Sequence, residues 1–347
     1  MVLLTFVVSH VSTRPTLAGK TDSPLIQGLN TVDIAGITLG PQDKSLTLKK
    51  EGQGFLLVEK DGYPASIQKI NNLVTSCLDI RRGELVTDNP ENHKDLGLTE
   101  DTAKNIIKFL NAEGQLITGL MVGERDDMAK GDYVRLISDD QDTSNKAYLS
   151  LNVPFLDMTA MSYIDKTLFK VQKKDIAKIT VIGPGGRYDL LAGEDDKIML
   201  ENIPEGKELK DDIYEKVFTA VTDLEFSDVK KESEMTPKLD FDRSYICQLK
   251  DASIYIFQLA QKDDKTYLKC LSDYADKTPV TMKRGVVESD KELKEKEAKL
   301  LARDNSIKFN KKHGGWVYEI VNWRAVNMTR NFEDLFEDIE KKEKEKN

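Results

Sequence analysis

The chain has 347 residues, 32% of them charged and 39% hydrophobic, with a mean hydropathy of −0.46. That length allows about two globular units, and that polarity excludes a polytopic membrane protein. Asp and Glu (60) outnumber Lys and Arg (51), for a net charge of −9. An acidic surface of this kind argues against nucleic acid, because phosphate binding runs on excess basic charge.

The first run, Val2 to Val8, is apolar and is followed by His10, Ser12, Thr13 and Arg14. It is too short to span a bilayer, marginal for a signal peptide and without a basic leader. Two readings stand: a first strand or disordered start, or the remnant of a membrane anchor. The residues alone favour the first.

An internal repeat organises the rest of the chain. Asp33-Ile34-Ala35-Gly36-Ile37-Thr38 recurs 142 positions later as Asp175-Ile176-Ala177-Lys178-Ile179-Thr180. Each copy leads into two apolar runs parted by a Gly- or Asp-rich turn, the pattern of a β-hairpin. These are Leu46–Leu48 and Phe55–Val58 in the first copy, Tyr188–Leu191 and Ile198–Leu200 in the second. A one-sided helix comes next, carrying Ile67, Ile70, Leu73, Val74 and Leu78, then Ile213, Val217, Val221 and Leu224.

A strand meander closes each copy. Tyr133 and Ser138 match Tyr267 and Ser272 at a spacing of 134, whereas Tyr148 matches Tyr318 at 170. Some 36 residues are therefore inserted in the second copy. They hold a capping box, Ser289 to Glu292, and a charged helix whose apolar residues are Leu293, Leu300 and Leu301.

These observations predict an α+β protein of two tandem homologous units. Each is a mostly antiparallel β-sheet with a packed helix, and a charged helical insertion sits in the second. The expected boundaries are an N-terminal segment 1–24, unit 1 over 25–172, unit 2 over 173–340 with its insertion at about 281–305, and a charged tail 341–347.

Residues able to do chemistry are sparse. Cys77, Cys247 and Cys270 lie among apolar neighbours without CxxC spacing and read as buried packing groups. His10, His93 and His313 are isolated, and Lys311-Lys312-His313-Gly314-Gly315 reads as a polar turn. Gly183-Pro184-Gly185-Gly186 runs into a strand rather than a helix, so it reads as a hairpin turn and not as a phosphate loop. The carboxylate pairs, including Asp139-Asp140 and Asp195-Asp196, fall in hydrophilic turns. No catalytic residue, cofactor-binding residue or metal ligand is assigned, and no cofactor is expected. Trp316, Tyr318 and Ile320 alternate onto one sheet face, with Trp323 close behind. Tyr163, Trp316 and Trp323 are the candidate ligand or partner contacts.

Five segments taken in order are familiar: Lys60-Asp61-Gly62-Tyr63-Pro64-Ala65, Thr87-Asp88-Asn89-Pro90-Glu91-Asn92 with Leu96-Gly97-Leu98, Tyr133-Val134-Arg135, Tyr163-Ile164-Asp165-Lys166-Thr167-Leu168, and Gly315-Trp316-Val317-Tyr318-Glu319-Ile320. The ordered set resembles a bacterial domain of unknown function, family 4340, over about residues 25 to 338. The family commonly has Trp where this chain has Tyr163. The resemblance implies a non-enzymatic envelope accessory or scaffold protein near ABC-type export or gliding-motility components. It also implies inner-membrane attachment by a single N-terminal anchor, with the soluble region outside the cytoplasm. On that view Val2 to Val8 is the tail of the anchor, and the full gene is longer. The alternative is a binding module for an envelope polymer or peptide, held in a groove between the two repeats. Protein partners are expected in either case, ABC transporter subunits among them.

Overall fold

The structure, a computed structural model, describes residues 23–194, 197–280 and 289–339. The apolar run 2–8, His10, the pair Asp195-Asp196 and the tail from 341 lie outside the described residues. The fold mixes helix and strand, with large antiparallel sheets and few helices. The chain divides into two units: of the described residues, 23–55 and 67–159 form unit 1, and 56–66 and 160–339 form unit 2.

In unit 1 the hairpin strands are β1 (Gly36–Leu39), β2 (Leu46–Glu51) and β3 (Gly54–Leu57), whose last two residues fall in unit 2, followed by α1 (Ile67–Leu78). After the helix come β4 (Leu85–Thr87), then β5 (Asn105–Leu110), β6 (Leu116–Asp126), β7 (Gly131–Ile137) and β8 (Ala147–Ser150). They lie in the order β3-β2-β1-β5-β6-β7-β8-β4. Register sets Ile37 against Leu48 on one side and Phe109 on the other, and all three are fully buried. Burying each such side chain stabilises by about 1.5–3 kcal/mol. Ile70, Leu73, Val74 and Cys77 recur at three- and four-residue spacing on α1 and form its buried stripe.

In unit 2 the corresponding elements are β9 (Ile176–Gly183), β10 (Gly186–Ala192), β11 (Ile198–Leu200), α2 (Asp211–Phe218) and β12 (Asp228–Lys231). The meander is β13 (Arg243–Leu249), β14 (Ser253–Lys262), β15 (Lys265–Tyr274) and β16 (Trp316–Ile320), with α3 (Asp290–His313) between β15 and β16. A short helix, α4 (Asn322–Met328), comes after β16. The sheet order is β11-β10-β9-β13-β14-β15-β16-β12. Each unit thus sets its hairpin strands in reverse chain order, then its meander, and returns the strand after the helix to the far edge. Gly183 pairs with Gly186 across the expected hairpin turn. The buried Tyr245 hydroxyl donates to the Val217 carbonyl at the end of α2, 2.6 Å away, and satisfies one of the acceptors a helix leaves open.

The inserted helix departs from its expected form. It ends at His313 rather than near 305, and residues 281–288 of the expected insertion lie outside the described residues. The capping box forms: the Ser289 hydroxyl accepts from the Glu292 amide. Leu293, Leu300 and Leu301 are not its contact stripe, being 43%, 53% and 57% exposed. Ala302, Ser306 and His313 are the buried residues, and at helical spacing they share a face with Asn310. That face docks through both ring packing, with Phe309 against Tyr255 at 5.0 Å, and hydrogen bonds. The Ser272 amide donates to Asn310 Oδ1 and Asn310 Nδ2 donates to the Ser272 carbonyl, each at 2.7 Å. The Arg303 guanidinium donates to the Asp276 carbonyl at 2.7 Å.

Candidate functional site

The aromatic face of β16 is where the sequence points. Alternation along a strand sends Trp316, Tyr318 and Ile320 to one side and Val317 and Glu319 to the other. Gly315, at φ 80, occupies left-handed backbone that favours glycine and turns the chain from α3 into the strand.

Tyr318 is fully buried and central. Its ring meets Phe226 at 4.9 Å and Tyr63 at 6.2 Å between centroids, and Tyr63 packs edge-on against Trp316 at 4.9 Å. The Tyr318 hydroxyl lies 2.7 Å from His313 Nδ1 and hydrogen-bonds with Tyr63. His313 also stacks on Phe309, at 4.4 Å. Histidine 313 is therefore not part of a polar turn: it is the last residue of α3 and 2% exposed. Tertiary packing draws it inward, because Tyr318 supplies the partner that a buried imidazole needs.

Burial decides the protonation states. It pushes the His313 imidazole down to about 4, with Lys312 acting in the same sense. It raises the Tyr63, Tyr318 and Cys270 groups. The cluster is neutral near pH 7: an unprotonated imidazole, protonated phenols and a protonated thiol. Such a network fixes geometry rather than supplying a nucleophile.

The opposite face of β16 sets the buried Val317 beside charged and polar groups. A cleft of about 100 Å³ is lined by Asp228, Lys230, Met235, Lys265, Tyr267 and Glu319. Lys265 pairs with Glu319 at 2.8 Å and Lys60 pairs with Asp228.

The three sequence candidates occupy different surroundings. Tyr163 is buried at 4%, and its carbonyl accepts from the Ser66 amide. Trp316 is half-buried against Tyr63. Trp323, on α4, is 60% exposed, with the Arg324 guanidinium 4.2 Å from its ring. Sequence reasoning missed Tyr63 and Phe226, which lie far from Trp316 along the chain. It also missed His313, whose signal was its helical spacing from Ser306, Phe309 and Asn310.

Among the described residues, the cysteines, His93 and Asp140 are held in structural contacts. Cys77, Cys247 and Cys270 are free and buried, and burial pushes the first two thiols up to about 12. His93 is buried, with Nε2 donating to the Asn145 carbonyl at 2.9 Å. The Asp140 carboxylate accepts from the Thr143 amide and caps the one-turn helix Gln141–Ser144.

Comparison with known proteins places a family match on the chain: residues 56–244 match the domain of unknown function DUF4340. No curated protein and no solved structure matches it.

Proposed function

The chain belongs to the DUF4340 family, a domain of unknown function, and from that premise we propose that it is a non-enzymatic accessory or scaffold protein of the bacterial cell envelope. On this reading it assembles with subunits of an ABC-type export or gliding-motility system. The observation that carries the non-enzymatic part is the neutral His313–Tyr318–Tyr63 network, in which the aromatic face of β16 is committed to packing. The proposal further reads the two units as tandem copies of one fold, which their common strand order supports.

The proposal includes attachment to the membrane by a single N-terminal anchor. Among the described residues no helix is long and apolar enough to cross a membrane. In-cell crosslinking of the full-length gene product, with identification of its neighbours, tests the reading. Transporter subunits among the products are the expected result. Their absence from crosslinks made in native membranes would overturn it.

A further inference from the structure

Both sheets place the strand that comes after the helix at an edge, β4 in unit 1 and β12 in unit 2. An edge strand offers unpaired backbone groups to any segment that can reach them. Unit 2 covers its own edge. The turn Val58–Lys60 packs against β12, the Lys231 amide donates to the Asp61 carboxylate at 2.9 Å, and Lys60 pairs with Asp228. The turn closes on an acid–glycine pair in left-handed backbone, Asp61 at φ 56 and Gly62 at φ 78. Val229, which sits opposite Tyr318 in register, is 1% exposed. The matching residue of unit 1, Leu85 opposite Tyr148, is 48% exposed, and its neighbour Val86 is 43% exposed.

Unit 2 carries a turn at the corresponding place in chain order, although its following strand pairs with Phe336–Asp338 rather than back on β11. Residues 201–206 lead from β11 to the short strand Lys207–Leu209 ahead of α2, just as residues 58–62 lead from β3 to Tyr63–Pro64 ahead of α1. This turn also closes on an acid–glycine pair, Glu205-Gly206, with Gly206 at φ 76. Ile203 within it is 46% exposed, and Met199 on β11 is 51% exposed.

We propose that this turn of one copy seats on β4 of the next, so that the chain assembles head to tail. The contact that covers β12 within unit 2 is thereby repeated between molecules. Glu205 takes the place of Asp61 at an edge-strand amide. Ile203 and Met199 meet Leu85 and Val86. Charge does not carry the fit: β4 is flanked by the exposed carboxylates Glu84 and Asp88 as well as by Arg81 and Arg82, and Arg82 already donates to Ser23 Oγ, so the apolar contact and the edge amide carry it. The contact joins unlike surfaces, so a free turn and a free edge remain at the two ends and the assembly can extend. The inference rests on reading the units as copies of one fold, not on the envelope placement.

Light scattering or sedimentation on the whole chain tests it. The wild-type mass should rise above 39.2 kDa as concentration rises. Val86→Lys, which spoils the edge, and Ile203→Asp, which spoils the turn, should each stay monomeric. Mixing these two variants should restore a complex of two chains, since each keeps the surface the other has lost. Glu205→Arg is the second turn variant should Ile203→Asp melt early. A wild-type chain that stays monomeric at its solubility limit overturns the proposal, as does a variant mixture that fails to associate or a single variant that self-associates. An experimental structure of unit 2 superposed on unit 1 tests the shared fold separately.

Discussion

Between β7 and β8, unit 1 spends only the four-residue helix Gln141–Ser144, whereas the same connection in unit 2 holds the 24-residue α3. The extra helix brings His313 under the sheet and creates a buried polar network around Tyr318. Tyr148, at the matching position of unit 1, is only half-buried. The entrances differ as well. In unit 1 the turn Thr31–Asp33 and α1 leave a cleft of about 110 Å³ lined by Val32, Phe55, Ile67 and Val74 among others. In unit 2 the turn before the first strand carries Lys173, which pairs with Glu215 on α2 at 2.6 Å. One strand order therefore supports different cores and surfaces. Hairpins and meander set the order, and the connections decide what is covered.

The central pair of each sheet offers the sharpest contrast. Ile37 faces Phe109 in unit 1, and Ile179 faces Cys247 in unit 2. Phe109→Ala should cost about 3–5 kcal/mol in denaturant unfolding, because it leaves a large cavity. Cys247→Ala removes one small group and should cost about 1 kcal/mol. Equal losses would break the idea that the two cores are filled differently.

Acid should act on unit 2 through His313, whose imidazole falls from 6.5 to about 4 on folding. Between those values the unfolded chain binds the extra proton. The contribution is therefore fully present above pH 6.5 and is lost as pH falls toward 4, by roughly 3 kcal/mol. His313→Gln should flatten that part of the stability–pH curve, and an unchanged slope would refute it.

Tyr318→Phe strips the hydroxyl that pairs with His313 and should cost about 1–3 kcal/mol. The matched change in unit 1, Tyr148→Phe, should stay within about 0.5 kcal/mol. Urea midpoints of the two variants check the difference. The smallest effect belongs to the exposed Lys173–Glu215 pair. Lys173→Ala should lower stability by less than about 1 kcal/mol, and less again in high salt. A larger loss would mean that the ion pair, and not the packing beneath it, closes unit 2.

Much of the secondary structure was legible because its signals are local. Gly52-Gln53 sits between β2 and β3 as a turn should, Asn111–Gly114 joins β5 to β6, and Ile70, Leu73 and Val74 of the expected stripe are buried on α1, where Cys77 joins them and Ile67 stays exposed. Ser289 and Glu292 announced the start of α3 as a capping box. The candidate site was legible only along β16, where alternation brings Trp316 and Tyr318 to one face. Tyr63 and Phe226 gave no sign, since a contact between distant segments leaves no periodicity in either. His313 was misread because Lys311, Lys312 and two glycines make a polar neighbourhood in sequence, while the imidazole itself turns inward.

The docking of α3 obeys the same division. Leucines at 293, 300 and 301 suggested the contact stripe, yet Asn310, paired to both backbone groups of Ser272, and the buried Ala302 and Ser306 mark the docked face. By itself the sequence determined most strands and turns and where the helices begin, because turn chemistry and residue spacing act within a few positions. It did not determine where they end: the helix expected to carry Val221 and Leu224 stops at Phe218, and α3 runs on to His313. Tertiary structure alone decided which edge is covered, which helix face docks and which histidine loses its proton. Those outcomes depend on desolvation and on partners tens to hundreds of residues away.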